Sequence, residues 1–122
     1  MVGCMHFKDA LGRYGEVIAA RCLTDSGHRL IETNWRCGRG EIDIIAAEGR
    51  TLVICEVKTR TSLAFGEPAE AVDEAKSRRL RLLAAQWLAE HPGGWESIRF
   101  DVVSVLRRAS GPAQVQHLRA AF

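Results

Sequence analysis

Three charged residues interrupt two apolar stretches that have the composition of β-strands. Asp43 lies in GEIDIIA, and Glu56 and Lys58 lie in VICEVKTR. Acidic residues are depleted in strands, and a charge without a partner that faces a core is costly to desolvate. Two carboxylates are hard oxygen ligands of the kind that Mg²⁺ accepts, and a lysine beside such an ion can stabilise charge that develops on phosphorus. These residue types therefore indicate metal-dependent chemistry on a phosphate.

The tripeptide EGR connects the two stretches and predicts an antiparallel hairpin. Alternation along each strand places Glu56 and Lys58 on one face, and it places Asp43 on the face opposite Ile42 and Ile44. The hairpin can bring Asp43 beside Glu56 and Lys58. Two carboxylates at such close range repel, so either one takes up a proton or a cation lies between them.

A structural role explains the same charges without chemistry. In this alternative Glu56 and Lys58 form an ordinary cross-strand ion pair, and Asp43 lies in water at a frayed edge. Structural ion pairs perturb charged groups in many proteins that use them for nothing else. The residues by themselves leave both interpretations open.

The surrounding pattern predicts two long helices and five strands. A helical stripe predicts a first helix from Phe7 to Asp25, and its members are Leu11, Tyr14, Val17, Ile18 and Cys22. HRLIETNWR, EIDIIAA and TLVICEVKTR follow as strands, and TSLAFGEPAE follows as a loop. Pro68 is placed to open a second helix, which HPGG ends. ESIRFDVVSVL and AQVQHLRAAF predict two last strands, so the order is α-β-β-β-α-β-β.

Composition limits the class of protein. The 122 residues, 47% of them hydrophobic, fit one domain that spans 1–122. A net charge of +2 makes the overall field a weak argument for a nucleic-acid partner, so any basic surface must be local. No apolar run approaches the roughly 18 residues that span a bilayer, which favours a cytoplasmic protein without a membrane partner. The four cysteines lack C-x-x-C spacing and are expected to be reduced thiols.

The spacing of the charged residues resembles a known superfamily. An aspartate followed 13 residues later by Glu-x-Lys, after a helix that carries a glutamate, is similar to the restriction-endonuclease-like PD-(D/E)xK pattern. GRYGEVIAARCLTDSGHRLIETNWRCGRGEIDIIA, VICEVKTR, FGEPAEAV and RFDVV resemble the bacterial YraN family more closely, over about Leu11 to Val105. That family is similar to archaeal Holliday-junction resolvases. The proline that precedes the aspartate in many superfamily members is Ile42 here, as in the YraN pattern.

The resemblance implies a fold, a site and an activity. The fold is α/β, a restriction-endonuclease-like core with a mixed central sheet of about five strands flanked by two main helices. Asp43 and Glu56 are the implied ligands of Mg²⁺ or Mn²⁺, Lys58 is the implied catalytic lysine, and Glu16 completes the acidic site. The implied activity is that of a DNA endonuclease leaving 5′-phosphate ends, and resolvase-like relatives act as dimers, which makes a homodimer one expectation. On spacing alone, Glu16 is equally well explained as a solvated helix residue.

Basic residues near this site predict a surface for a nucleic-acid backbone, where neutralised phosphates release counterions. They are Arg36, Arg39, Arg60, Lys76, Arg78, Arg79 and Arg81. The alternative is a solvated helix face with acidic partners on the same helix. Two alternatives to a nuclease function stay open. One is a catalytically silent nucleic-acid-binding or partner protein with a nuclease-like fold, and the other is a purely structural protein.

Other residues are not assigned to the site. The four histidines show no ligand spacing and are expected at the surface or at strand ends. Trp35 and Trp87 are expected in the core, and Asp101 in a structural role.

Overall fold

The computed structural model describes residues 9–61 and 72–122. Two helices and five strands occur in these ranges, in the predicted order α-β-β-β-α-β-β. Their bounds are α1 Ala10–Asp25, β1 Arg29–Cys37, β2 Gly40–Glu48, β3 Thr51–Arg60, α2 Glu74–Glu90, β4 Ser97–Leu106 and β5 Gln114–Leu118. The predicted loop with Pro68 lies largely outside the described residues, as does the predicted helix start at Phe7.

The five strands form one mixed sheet in the order β1-β2-β3-β4-β5. The first three strands are an antiparallel meander, β4 pairs parallel to β3, and β5 pairs antiparallel to β4. A parallel pair needs a crossover connection, and α2 lies in that connection. The topology therefore follows from two hairpin turns, one crossover helix and one final turn.

Both helices begin at an aspartate that caps the first turn. The Asp9 side chain accepts a hydrogen bond from the backbone N–H of Gly12 at 2.8 Å, and the Asp73 side chain accepts one from Lys76 at 2.8 Å. The described part of α2 begins after Asp73, whose side chain satisfies an N–H of the first turn.

The sheet is covered on both faces, as the apolar character of both faces of β3 predicts. The α2-side core contains Trp35, Ile42, Ile45, Leu52, Ile54, Leu80, Leu83, Ala84, Trp87 and Phe100. The α1-side core contains Ala19, Leu23, Ile44, Ala46, Val53, Cys55, Val103 and Val105. The predicted core positions of Trp35 and Trp87 are confirmed.

Two positions depart from the predicted faces. Val17 is 60% exposed, so it lies outside the buried stripe of α1, which instead contains small residues such as Gly15 and Ala19. Ile42 packs in the α2-side core although Ile44 packs on the α1 side, so the expectation that they share a face is wrong. Strict alternation fails between them, where the pairing of β2 with β3 ends at Ile44 and Cys55.

No helix within the described ranges is long and apolar enough to cross a membrane. Cys22, Cys37 and Cys55 carry free thiols, as expected. Burial raises the pKa of the Cys55 thiol well above its ordinary value, so this cysteine is an inert core residue.

Candidate functional site

The site lies in a fork between two pairs of strands. The β2–β3 ladder runs from the Glu48–Thr51 pair to the Ile44–Cys55 pair and stops there. Pairing of β1 with β2 continues to Gly40, and pairing of β3 with β4 continues to Arg60. The two strand pairs therefore diverge at the level of Asp43 and Glu56.

Asp43 and Glu56 lie together in this fork. Their exposed fractions are 5% and 8%, so both carboxylates are buried. Oδ2 of Asp43 accepts a hydrogen bond from the backbone N–H of Val57 at 2.9 Å, so a side chain continues the ladder where the backbone ends it. Burial raises the pKa of Glu56, and repulsion from Asp43 raises it further. The predicted proximity of the two carboxylates is confirmed.

A lysine of α2 neutralises part of this charge. Nζ of Lys76 donates a hydrogen bond to Oε2 of Glu56, and this ion pair opposes the rise in the pKa of Glu56. Among the described residues, Lys76 is the ion-pair partner of Glu56, so the alternative of a cross-strand pair with Lys58 is wrong. The sequence placed Lys76 only in the basic surface, because its contact with Glu56 depends on how α2 packs on the sheet.

Lys58 and Glu16 line a second, smaller part of the site. A cavity of about 220 Å³ is bounded by both side chains together with Glu56 and Lys76. Lys58 itself is exposed. In the described ranges, Glu16 does not join Asp43 and Glu56 in a group of three ligand atoms within 4.8 Å of one another.

Gly15 allows α1 to approach the sheet beside Glu16. A Cβ atom at Gly15 would lie 1.7 Å from Oγ1 of Thr59 and 2.7 Å from its Cβ. Only a residue without a side chain permits this contact, because no shift of the short threonine side chain relieves both distances. Gly15 and Thr59 therefore fix the height of Glu16 above the end of β3.

A larger cavity of about 690 Å³ opens from the acidic pair toward α2. Asp43, Glu56 and Lys76 lie at one end, and Arg36, Arg39 and Arg79 are among the lining residues. The two cavities share Glu56, Val57 and Lys76. Asp43 and Lys58 thus line adjoining cavities, which the shared residues connect.

The remaining predicted phosphate-binding residues have different environments. Arg36 pairs with Glu41 at 3.2 Å, and Arg78 pairs with Glu74 at 2.9 Å. The guanidinium of Arg81 lies 4.4 Å from the centroid of the Phe100 ring. Arg60 is buried, so the expectation that it contributes to an exposed basic surface is wrong.

A second polar cluster lies on the α1 side of the sheet, and the sequence did not indicate it. The buried Asp101 accepts two hydrogen bonds from Arg99, each at 2.8 Å, and lies 2.7 Å from Nε2 of His117. Burial opposes ionisation, but the bonds with His117 and Arg99 hold the pKa of Asp101 well below its usual range. Arg119 and Arg99 lower the pKa of Glu48 to about 2 in the same network.

Ligand-type atoms of His28, Asp101 and His117 lie within 4.8 Å of one another, the one such group in ranges 9–61 and 72–122. Nη2 of Arg99 lies 3.1 Å from Nε2 of His28 and 2.8 Å from Oδ2 of Asp101. The guanidinium therefore occupies the place that a cation would take. His28 is 4% exposed, so it lies at a strand end but inside the protein.

The fold and the site together define an α/β nuclease-like core. A mixed sheet carries one helix on each face, and its diverging strands hold a buried pair of carboxylates, so the predicted fold class is confirmed. The family model "Uncharacterised protein family UPF0102" matches residues 15–105. The chain belongs to this family, which is the YraN family that the sequence resembles.

Curated relatives agree with this assignment. The UPF0102 protein of Beutenbergia cavernae is 56% identical over 115 residues, covering 94% of this chain and 98% of the relative. The relative from Frankia alni is 53% identical over 118 residues, covering 97% of this chain and 98% of the relative. The relative from Nocardia farcinica is 51% identical over 115 residues, covering 94% of this chain and 91% of the relative. The similarity therefore extends over nearly the whole chain.

Proposed function

We propose that the protein is a metal-dependent DNA endonuclease that hydrolyses phosphodiester bonds, with branched DNA as a candidate substrate. The supporting observation is the buried Asp43–Glu56 pair, which lines a cavity with basic walls and whose Glu56 also lines the smaller cavity of Lys58. A DNA substrate also implies a cytoplasmic location. Symmetrical cleavage of both strands would need two sites, so a homodimer stays a prediction of this proposal.

The donor set fits a divalent ion such as Mg²⁺ or Mn²⁺. Two buried carboxylates lie in the fork, and burial, followed by repulsion from Asp43, raises the pKa of Glu56 although Lys76 opposes the rise. Asp43 and Glu56 would hold the ion, and Glu16 is a candidate ligand from the adjoining cavity. The ion would supply positive charge to a backbone phosphate and lower the pKa of a water molecule.

The chain's own side chains would perform the remaining tasks. Lys58 is exposed at the smaller cavity, where its ammonium can donate to the attacking water or to a phosphate oxygen. Arg39 and Arg79 line the larger cavity, where they would bind phosphates of the DNA backbone. The exposed positions of these three cations suit a polymeric substrate that lies across the fork.

One observation favours the alternative of a catalytically silent nucleic-acid-binding or partner protein. Lys76 already provides Glu56 with a positive partner, so the fork does not require a metal ion for this carboxylate to be neutralised. Such a protein would bind DNA through Arg39 and Arg79 in the presence of a chelator and would not cut it.

The test is a cleavage assay on linear, flapped and four-way-junction DNA, with Mg²⁺, Mn²⁺ or a chelator. Cleavage that requires the metal and disappears in Asp43→Asn supports the proposal. Asp43→Asn keeps a side-chain oxygen that can accept the bond from Val57, so the variant removes charge with little change in shape. Metal-independent binding of all substrates without cleavage would instead favour the silent alternative.

A further inference from the structure

The contact between Lys76 and Glu56 joins the second helix to the acidic pair. Lys76 lies in the first turn of α2, and Asp73 fixes that turn by accepting a bond from the Lys76 N–H. The Lys76 side chain is 36% exposed, while that of Glu56 is 10% exposed. The ammonium therefore lies between the buried carboxylate and the open cavity.

This contact places a positive charge beside the two buried carboxylates of the fork. Asp43 repels Glu56, and both carboxylates are buried, so an approaching positive charge is stabilised there. Among the described residues, Lys58 makes no ion pair with Glu56 although it lies on the same strand face. Lys76 forms its ion pair with the Glu56 member of the acidic pair.

We propose that Lys76 is a displaceable counter-ion of the Asp43–Glu56 pair: a divalent cation displaces its ammonium from Glu56, and the ammonium then binds a backbone phosphate. This inference rests on the proposed function, because it assigns the acidic pair to a metal ion and the cavity to DNA. It makes Lys76 a phosphate-binding residue that couples metal binding to DNA binding.

The coupling follows from competition for one carboxylate. Oε2 of Glu56 receives the ammonium of Lys76, and a divalent ion at the same oxygen would repel that ammonium. Lys76 lines both cavities, and Arg79, one turn further along α2, lines the larger one. The displaced ammonium remains in the cavity that would contain the phosphate backbone. Metal and DNA therefore strengthen each other's binding, and the coupling is reciprocal.

The experiment measures two binding reactions of the full chain. Mn²⁺ affinity without DNA is measured by calorimetry, and affinity for a short DNA duplex is measured with Ca²⁺ or with a chelator. The variants are Lys76→Met, which removes the charge at similar length, and Lys76→Arg, which keeps it. Arg21→Met is the matched control, because Arg21 is exposed on α1 and lines neither cavity.

Loss of the competing charge should tighten Mn²⁺ binding by about tenfold in Lys76→Met. The gain in DNA affinity that Ca²⁺ gives the wild type should be smaller in this variant, which keeps only the part that the ion itself contributes by attracting phosphate. Lys76→Arg and Arg21→Met should both behave like the wild type.

Equal Mn²⁺ affinity in the wild type and Lys76→Met would overturn the inference, as would an unchanged effect of Ca²⁺ on DNA binding. If Lys76→Met does not fold, Lys76→Gln replaces it, and the same two outcomes decide. These results differ from failure of the proposed function, in which neither the wild type nor any variant binds a divalent ion through Asp43.

Discussion

The Asp43 carboxylate accepts a hydrogen bond from the backbone N–H of Val57 at 2.9 Å, just beyond Ile44 and Cys55, the last backbone pair between β2 and β3. A buried acidic side chain thus accepts a hydrogen bond of the kind that a backbone carbonyl accepts in a regular β-ladder. This hydrogen bond explains why an aspartate is tolerated in an apolar strand. It gives Asp43 a structural role that depends on a side-chain oxygen and not on the negative charge.

Substitution of Asp43 should separate these two roles. Asp43→Ala leaves the Val57 N–H without its acceptor and should lower the free energy of unfolding by about 1–3 kcal/mol. Asp43→Asn keeps an acceptor and removes the repulsion that raises the pKa of Glu56, so it should be at least as stable as the wild type. Urea unfolding in the presence of a chelator measures the free energy of unfolding of both variants. A less stable Asp43→Asn than Asp43→Ala would contradict this account.

Lys58 should matter for cleavage and little for binding. Lys58→Met is expected to slow cleavage by about 100-fold, because an exposed ammonium at the smaller cavity no longer stabilises charge on the phosphate. DNA affinity should change by less than about threefold, since Lys58 is one of several cations. Single-turnover cleavage and a filter-binding assay provide the two readouts. Unchanged cleavage would remove Lys58 from the mechanism.

The basic wall should give DNA binding a measurable salt dependence. Arg39→Gln and Arg79→Gln should each weaken duplex binding and reduce the slope of log affinity against log salt by about 1. Titrations between low and moderate salt measure the slope. Arg21→Gln, on the helix of the other sheet face, is the control and should leave the slope unchanged.

The close contact of α1 with β3 should make Gly15 intolerant of any side chain. Gly15→Ala places a methyl group 1.7 Å from Oγ1 of Thr59, so α1 must move, at a cost of about 1–3 kcal/mol. Gly38→Ala is the matched control, because its methyl group would meet nothing within 4 Å. Equal unfolding midpoints for the two variants would show that α1 adjusts freely.

His28 should make stability fall as the pH drops through the mildly acidic range. Burial lowers the pKa of His28, although Glu48 opposes this, while Arg119, His117 and Arg99 add to it. The unfolded chain then binds the proton more tightly than the folded chain. The stability present above about pH 6.5 is therefore lost as the pH falls below that unfolded value.

Unfolding free energies at pH 7.5, 6.5 and 5.5 test this expectation. His28→Gln should flatten the profile, because its side chain does not titrate. The acid-side contribution of Glu48, whose pKa is lowered to about 2, is still present in this window and is lost only at lower pH. If the wild type and His28→Gln lose the same stability between pH 7.5 and 5.5, titratable groups other than His28 cause the pH dependence.

Short-range features of the sequence predicted most elements and the centre of the site. Strand alternation, the EGR turn and the helical stripe depend on residues a few positions apart, so they predicted the hairpin that brings Asp43 beside Glu56. The same reasoning failed for Ile42, which lies beyond the end of the β2–β3 pairing and packs in the other core from Ile44.

The sequence by itself determined the order of elements, the sheet's buried faces and the acidic residues of the hairpin, because local periodicity and turn length specify these. Only the tertiary structure decided that Lys76 pairs with Glu56, that Arg60 is buried, and that Arg99 joins His28 to Asp101. These contacts depend on how α2 packs and on how β4 pairs with β3. Both are long-range outcomes of burying two apolar faces, and no local pattern contains them.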